Sequence, residues 1–491
     1  MKNTKIVALV AAVALLVLGT AFASFAATYN WYEQDGEWRC ADKDGEDYYD
    51  TWAKSGDGWY YLGEEGYMLR EALVETDKGT NYVDANGRMV TNDWKKVSND
   101  DGDEFWMYFQ SNGKAMKSKV AKIGENKYAF DDNGYMLSGW IDVVDGIPAA
   151  ADDWKAAKYY YGDENDGAMK TGWQALTVDT TGIEDFDETE YWFYFKSNGQ
   201  KYAATETDVK EFKINSKWYA FDEYGRMQAE WQTVYATDKG SISSYAWFQS
   251  VEIGAKFADG WFRVTPSADV DPDAEEDSVN WFYAKKGHLA YSEIKTINGK
   301  KYGFNAKGEM VSGLQDVETN ELLADHNVTF TGIDTVAGVY GADGLVYYFS
   351  GDEENDGSMK TALQTVAIDD DPYSFYFDKK GYGITGNKSN KYYFNGIKVT
   401  ANEDRADYMV FEALVDGEDG DKKPYSVKTD GYTFREAAAL EIGGVLPAEE
   451  YAVISKTGVV ASSGTKKDGN DWKAVFGGTK TTGFYWTISF E

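Results

Sequence analysis

One cysteine, six prolines and two histidines in 491 residues remove several kinds of protein at once. With Cys40 alone, no internal disulfide forms, and stability has to come from packing and hydrogen bonding. Cys40 itself reads as a small half-buried residue of an irregular first repeat, with pairing between molecules as the alternative. So few prolines argue against a Pro-rich linker, whereas 50 glycines point to glycine turns. His288 and His326 are the only imidazoles, which leaves no Cys–His peptidase, His-ligated zinc amidase or Ser–His–Asp hydrolase. A glycosidase using two carboxylates is still compatible with the composition, but nothing marks out a pair among so many acids. Positive charge is scarce as well. The 49 Lys and Arg face 83 Asp and Glu, a net charge of −34, which repels nucleic acid and disfavours anionic bilayers. Cationic decorations and neutral sugars remain open as partners, and the field reaches only about 8–10 Å in physiological salt.

Long apolar runs are missing too, with one exception at the start. Lys2 and Lys5 precede an unbroken apolar run over residues 6–18, and small residues follow at Ala21, Ala23, Ser24 and Ala26. Residues 1–26 therefore read as a secretory signal peptide, because a membrane span needs about 20 apolar residues. No second such stretch follows. The expectation is a secreted protein at the cell wall or cell surface, with no membrane insertion after signal cleavage.

What the chain has in abundance is aromatic side chains, 16% of the total, with 37 Tyr and 17 Trp. They fall in repeats. KYAFDDNGYMLSGW at 127–140 returns as KWYAFDEYGRMQAEW at 217–231, KYGFNAKGEMVSG at 301–313 and KYYFNGIKVT at 391–400. A second type is WMYFQSNGKAM at 106–116, WFYFKSNGQKY at 192–202, WFYAKKGHLAY at 281–291 and FYFDKKGYG at 375–383. A third is YYYGDENDGAMKTGW at 159–173 and YYFSGDEENDGSMKT at 347–361, with a degenerate unit at 247–262 between them. Phe130, Phe221, Phe304 and Phe394 are spaced by 91, 83 and 90 residues, so the array is duplicated in blocks of about 90.

Each unit predicts a β-hairpin. A run of four or five aromatic-rich residues suits a strand, a cluster such as DDNG suits a turn whose Gly takes positive φ, and a short strand with Met follows. A lone two-stranded hairpin is marginal in water, so neighbours must stack. The predicted fold is an all-β solenoid of tandem β-hairpin repeats over 29–400, with a small, mostly β (α+β) module over 401–491. In that module we expect strands at 408–415 and 425–434, a polar loop at 416–424, a short helix at 435–442, a hairpin through 451–461 and a closing strand at 483–490. It reads as an interaction or capping module.

The pattern of strand, glycine turn, Met and then T/S-G-W resembles the cell-wall-binding repeats of Gram-positive surface proteins, a family that includes choline-binding, glucan-binding and clostridial-toxin-type repeats. The resemblance covers about 29–400. It implies shallow sites between consecutive hairpins and, in the choline-binding branch, an aromatic box. That box combines the GW tryptophan of one hairpin, the first Trp of W-Y-Y in the next and a further ring, holding a quaternary ammonium by cation–π attraction. The GW tryptophan is kept at Trp140 and Trp173, and Trp231 stands in an altered AEW context. The W-Y-Y tryptophan is kept at Trp59 and Trp218, while Lys127, Lys301 and Lys391 replace it elsewhere. Candidate ligand-binding residues are therefore Trp59, Trp140, Tyr159, Trp173, Trp192, Trp218 and Trp231, each of which could equally be core. Few complete boxes shift the preference from choline, which stays possible as a teichoic-acid decoration, to a neutral cell-wall sugar. The alternative is a released adhesin for host glycans. The acidic loops at 162–167, 351–357 and 269–277 read as solvated turns and not as calcium loops. Neither a cofactor nor a metal is called for.

Overall fold

The computed structural model describes residues 6–7, 29–99, 101–180, 190–205, 209–235, 240–275, 278–320, 325–351, 356–412 and 431–491. The expected signal segment thus lies outside the described residues, apart from Ile6–Val7, which pair with Leu73 and Val74. The chain divides into two compact units, Met1–Gln228 and Ala229–Glu491. In each, consecutive antiparallel hairpins follow one another along the chain, the tandem all-β hairpin solenoid that the repeats predict. In the first unit these include Asn30–Gln34 with Glu37–Ala41, Thr51–Ser55 with Gly58–Leu62, Asp93–Ser98 with Glu104–Phe109, Gly172–Thr177 with Glu190–Phe195, and Lys210–Ile214 with Lys217–Phe221. In the second they include Gly260–Val264 with Asn280–Lys285 and Glu293–Ile297 with Lys300–Phe304.

The local reason is legible in each turn. Asp84 ends a strand, and its Oδ1 accepts from the amides of Asn86 and Arg88 at 2.8 and 3.0 Å. Gly87 donates its N–H to the Asp84 carbonyl and sits at φ +78°, a region open to glycine at little cost. Asp42, Asp222, Asn305 and Asp378 repeat the arrangement, each with a glycine three residues on. Across the strand ends, Phe109, Phe130, Phe195 and Phe221 of the first unit and Phe304 and Phe349 of the second are fully buried, each closing a strand, the second of its sheet for all but Phe349, which closes the third.

Stacking is fixed by one backbone bond and one side chain per step. The residue that follows a turn donates its amide to the preceding hairpin: Met68 to Trp38 O, Met89 to Trp59 O and Met169 to Lys127 O in the first unit, Met310 to Trp281 O and Met359 to Lys301 O in the second, at 2.7–2.8 Å. Its side chain then lies beneath the glycine of the following turn. A Cβ built on Gly87 would come within 2.8 Å of the Met68 sulfur, and Gly113, Gly167 and Gly199 cover Met89, Met136 and Met169 in the same way. Gly357 and Gly381 cover Met310 and Met359 in the second unit. We call the position held by these methionines the Met slot.

Three departures from the sequence reading have local causes. The third type of unit is a three-stranded sheet and not a hairpin, because residues inserted between its strands form an extra one. Gly139–Val144 pairs with both Ile147–Ala150 and Tyr159–Tyr161, and Gly313–Thr319 pairs with both Val328–Ile333 and Leu345–Phe349. In the tail the expected helix at 435–442 shrinks to Phe434–Ala437, capped by the reciprocal Thr433 and Glu436 bonds, since Gly443 and Gly444 turn left-handed just beyond. Cys40 is fully buried with Ala53, Leu62 and Met68, deeper than expected, and burial pushes its thiol up to about 11. The expected loop at 416–424 and the start of the strand at 425–434 lie outside the described residues. The closing strand is present as Gly483–Phe490, in a four-stranded sheet with Val445–Pro447, Thr465–Lys467 and Trp472–Thr479. Among the described residues no helix is long and apolar enough to cross a membrane.

The glycine above the Met slot gives a direct stability test. Gly36, at a hairpin tip, has φ +86° and nothing within 4 Å of a built Cβ, whereas Gly199 has φ +89° and Met169 beneath it. Gly36→Ala should cost about 1–2 kcal/mol from the backbone alone. Gly199→Ala should cost a further 1–3 kcal/mol or so from overpacking, read as the difference between the two variants in urea denaturation.

Candidate functional site

The tryptophans fall into two structural classes, set by which strand carries them. Those on the first strand of a hairpin pair across it with an aromatic residue: Trp52 with Tyr61, Trp94 with Tyr108, Trp140 with Tyr160 and Trp173 with Tyr194 in the first unit, Trp231 with Trp247 and Trp261 with Tyr283 in the second. The ring centroids are 5.0–5.2 Å apart and inclined by 63–71° in every case. These indoles are half-buried in the seam against the next hairpin. Those near the start of the second strand face outward, and Trp38, Trp59, Trp192 and Trp218 are 39–45% exposed.

Where tryptophans from the two strands of a hairpin meet a tyrosine from the next hairpin, three rings come together. Trp173 and Trp192 lie 6.3 Å apart at 81°, and Tyr219 approaches Trp173 to 4.8 Å. In the second unit Trp261 and Trp281 lie 6.3 Å apart at 89°, with Tyr302 at 4.8 Å from Trp261. Trp94, Trp106 and Tyr128 form a third set around Met116 and Met136. Trp31, Trp38, Tyr60 and Met68 line a fourth, a hollow of about 230 Å³ with Tyr60 5.4 Å from Trp31. The Met slot thus forms one wall of the site. The two tryptophans of a set come from the two strands of a single hairpin and only the tyrosine from the next, whereas the family resemblance implied tryptophans from consecutive hairpins.

The seven residues expected from sequence are accordingly spread over several seams. Trp173 and Trp192 share one. Trp59 stands beside Trp52 on the 51–62 hairpin, with Lys54 Nζ 5.9 Å from its ring centre, but the tyrosine position of the next hairpin holds Asn81, whose amide is spent on the Gly113 carbonyl. Trp218 is exposed with Lys213 Nζ 6.0 Å from its ring centre. Tyr159 accepts from Gln200 Nε2 at 3.3 Å. In the second unit Trp231 donates Nε1–H to Thr265 O at 2.8 Å and, with Trp247, Glu230 and Asp269, lines an open hollow of about 700 Å³. A further hollow of about 520 Å³ lies in the tail beside Tyr451, Phe476, Phe484 and Trp486. Trp31, Trp38 and Tyr60 were missed in the sequence reading. The spacing W-x6-W in WYEQDGEW, matched by W-x6-W in WAKSGDGW, carries the signal.

The Trp140 seam differs from the rest. Trp154, from the insertion after the Ile147–Ala150 strand, packs against Trp140 and Phe193, and its Nε1–H donates to Asp179 O. Lys201 takes the Met slot, bridged to Phe195 and donating its amide to Lys158 O. Its Nζ lies 5.2 Å from the Trp140 ring centre and donates to Trp154 O at 3.0 Å and Lys155 O at 2.9 Å, with the residue 9% exposed. Burial pushes the ammonium down to about 8, against the pull of Asp222, Asp142 and Asp153.

These hairpins, seams and slots are those of a tandem β-hairpin array. No family profile matches the chain. Among curated proteins it is 24% identical over 328 residues to glucosyltransferase-I of Streptococcus downei, covering 63% of this chain and 17% of that protein. It is 25% identical over 362 residues to glucosyltransferase-S of Streptococcus mutans, covering 73% and 19%. The chain therefore spans less than a fifth of the length of either relative. Among solved structures, choline binding protein F of Streptococcus pneumoniae, determined with a peptidoglycan analogue, aligns at 18% identity and a TM-score of 0.35 over 70% of this chain and 93% of that one. The modular autolysin LytC of the same species aligns at 20% and 0.34 over 58% and 53%.

The buried ammonium sets a pH dependence. Lys201 titrates near 8 when folded and near 10.5 when unfolded, so below pH 8 the folded state carries the cost of a desolvated charge that the unfolded chain does not. That cost is relieved as pH rises from 8 to 10.5. Relative to Lys201→Met, the native chain should therefore gain stability across this window, by up to about 3 kcal/mol, measured as the pH dependence of the difference in unfolding free energy.

Proposed function

We propose that the protein is a secreted, non-catalytic surface protein that grips cell-wall polysaccharide, or a teichoic-acid decoration on it, through the open seams between its hairpins. In this reading residues 1–26 are the signal peptide, 29–400 the binding array and 401–491 an interaction or capping module. One observation supports it above the others: the Trp31 and Trp173 seams each present an exposed indole, Trp38 or Trp192, beside a half-buried one, with a tyrosine closing the third side. Flat rings at a sheet surface stack on the apolar faces of sugars, and the same walls attract a cationic decoration. A neutral sugar is the preferred ligand, since few seams keep the complete set of tryptophans that the choline-binding resemblance implies.

The ligand contacts then divide by class. Trp38, Trp59, Trp192 and Trp218 are the platforms, and Trp173, Trp231 and Trp261 form the inner walls while holding the seams together. Single sites are weak, and repetition along a polymer gives the retention. Replacing Trp38, Trp192 and Trp281 together by Ala should cut sedimentation with purified cell-wall sacculi by about tenfold or more, with the circular dichroism and melting temperature nearly unchanged. Trp173→Ala should instead lower the melting temperature. Full retention by the folded triple variant would end this reading, as would release of sugar from sacculi by the native chain.

A further inference from the structure

Lysine takes the Met slot twice, as Lys256 under Gly287 and over Tyr235 in the second unit and as Lys201 in the first, and the more deeply buried Lys201 bears on which seams can take a ligand. In the 30–41 hairpin and its neighbour, the hollow is walled by Trp31, Trp38, Tyr60 and, from the Met slot, Met68. Moving one register at a time to the 139–161 sheet and the 172–195 hairpin, Trp140 takes the place of Trp31, Phe193 that of Tyr60 and Lys201 that of Met68. The outward position held by Trp38 is occupied there by Lys158, so the sequence offers no outer indole. Trp154 supplies one from the insertion instead, 6.3 Å from Trp140 and 6.0 Å from Phe193, and it is buried. Three rings again surround one space, and the ammonium of Lys201 enters it.

We propose that Lys201 is a built-in occupant of the Trp140 seam: a tethered alkylammonium that fills the place of an external ligand and closes this seam while the neighbouring ones stay open. The proposal rests on the reading of the seams as ligand sites. Its chemistry is on display in the bound group itself. The Nζ faces the Trp140 ring at 5.2 Å and gives two of its three N–H donors to the carbonyls of Trp154 and Lys155. A methionine in this slot, as at Met68, Met89, Met136 and Met169, would fill the volume under Gly225 but leave both carbonyls unpaired and the ring face free of charge. Lysine here selects for self-closure. Trp140 is then a wall of a closed seam and not a contact for an outside polymer, while Tyr159 packs in the preceding seam with Ala129 and Ile141.

The test uses the full chain labelled with 5-fluorotryptophan, the Trp140 resonance being the one lost in Trp140→Phe. Tetramethylammonium chloride is titrated against sodium chloride at matched ionic strength. In the native chain the Trp140 resonance should not move. In Lys201→Ala, which empties the seam, it should shift saturably, with an apparent affinity at least about tenfold above any residual effect in the native chain. In Lys201→Met, which gives this seam the wall of the open ones and frees the Trp140 face, it should shift as well. A shift of Trp140 in the native chain equal to that in Lys201→Ala would overturn the proposal, and so would a folded Lys201→Ala that gives none. If Lys201→Ala fails to fold, Lys201→Val removes the ammonium while keeping an apolar wall and carries the same comparison. The Trp38 and Trp192 resonances in the same spectra report separately on the open seams, so a failure of that reading is visible without confusing the two.

Discussion

Everything in this molecule depends on the contact between one hairpin and the next. A two-stranded hairpin has too little surface to bury its own rings, so each first-strand tryptophan is shared: one side of the indole meets the tyrosine across its own hairpin and another meets the tyrosine and phenylalanine that follow. Trp94, Trp173 and Trp261 show the same geometry, with the next phenylalanine stacked at 5.6–5.8 Å and 21–28°. The Met slot adds the second half of the joint. A flexible thioether adapts to an irregular gap better than a branched side chain, and a glycine with no Cβ lets the next turn come down upon it. Each step of the array is stabilised only by its neighbours, and a hollow such as that between Trp31, Trp38 and Tyr60 arises where the outer edge of a seam is left unfilled.

The strong negative charge follows in part from the same construction. A turn that ends in a left-handed glycine leaves amide donors pointing inward, and a carboxylate at the end of the strand accepts two of them. Asp42 and Asp163 both lie below the usual carboxylate range because backbone N–H groups favour the charged form. Many acids are therefore turn chemistry before they are surface charge. This explains how a chain at −34 keeps a folded array: the carboxylates sit at turns, separated from the ring-filled seams, and solvent screens them.

The hairpins and their order were legible because two signals agreed, aromatic strands and D-x-x-G turns repeating in blocks of about 90 residues. The sites were half legible. Sequence showed which residues were tryptophan but not which face they took. Trp59, Trp192 and Trp218 lie outward because they begin second strands, while Trp140 and Trp173 are drawn into seams by cross-strand tyrosines, and that difference is a matter of register, invisible in composition. Trp31 and Trp38 were overlooked because their repeat lacks the usual tyrosines. Lys201 was hidden for a different reason. In QKY it reads as a surface lysine, and only the stacking reveals that it stands where other repeats carry methionine, bonded to carbonyls brought in by an insertion nearly fifty residues earlier.

The turn that defines the array also recurs beyond residue 400. Ser455 N donates to Val459 O at 3.0 Å, the Ser455 hydroxyl accepts from Val459 N at 3.0 Å, and Gly458 adopts φ +79° above the Lys398 side chain. Val460 N then donates to Asn390 O at 3.1 Å, the same link to the preceding hairpin that Met68 and Met310 make in their own units. The Tyr408–Glu412 and Tyr451–Ser455 pair is thus a further repeat whose strands are separated by an insertion. Its outer face has no following hairpin to bury it. Val410 and Val453 instead pack against Phe434, Leu446, Trp486 and Ile488, all fully or almost fully buried. A stacked array leaves one apolar face exposed at its end unless something other than a repeat covers it. The inserted helix and the four-stranded sheet pack on that face, with Trp486 among the buried residues.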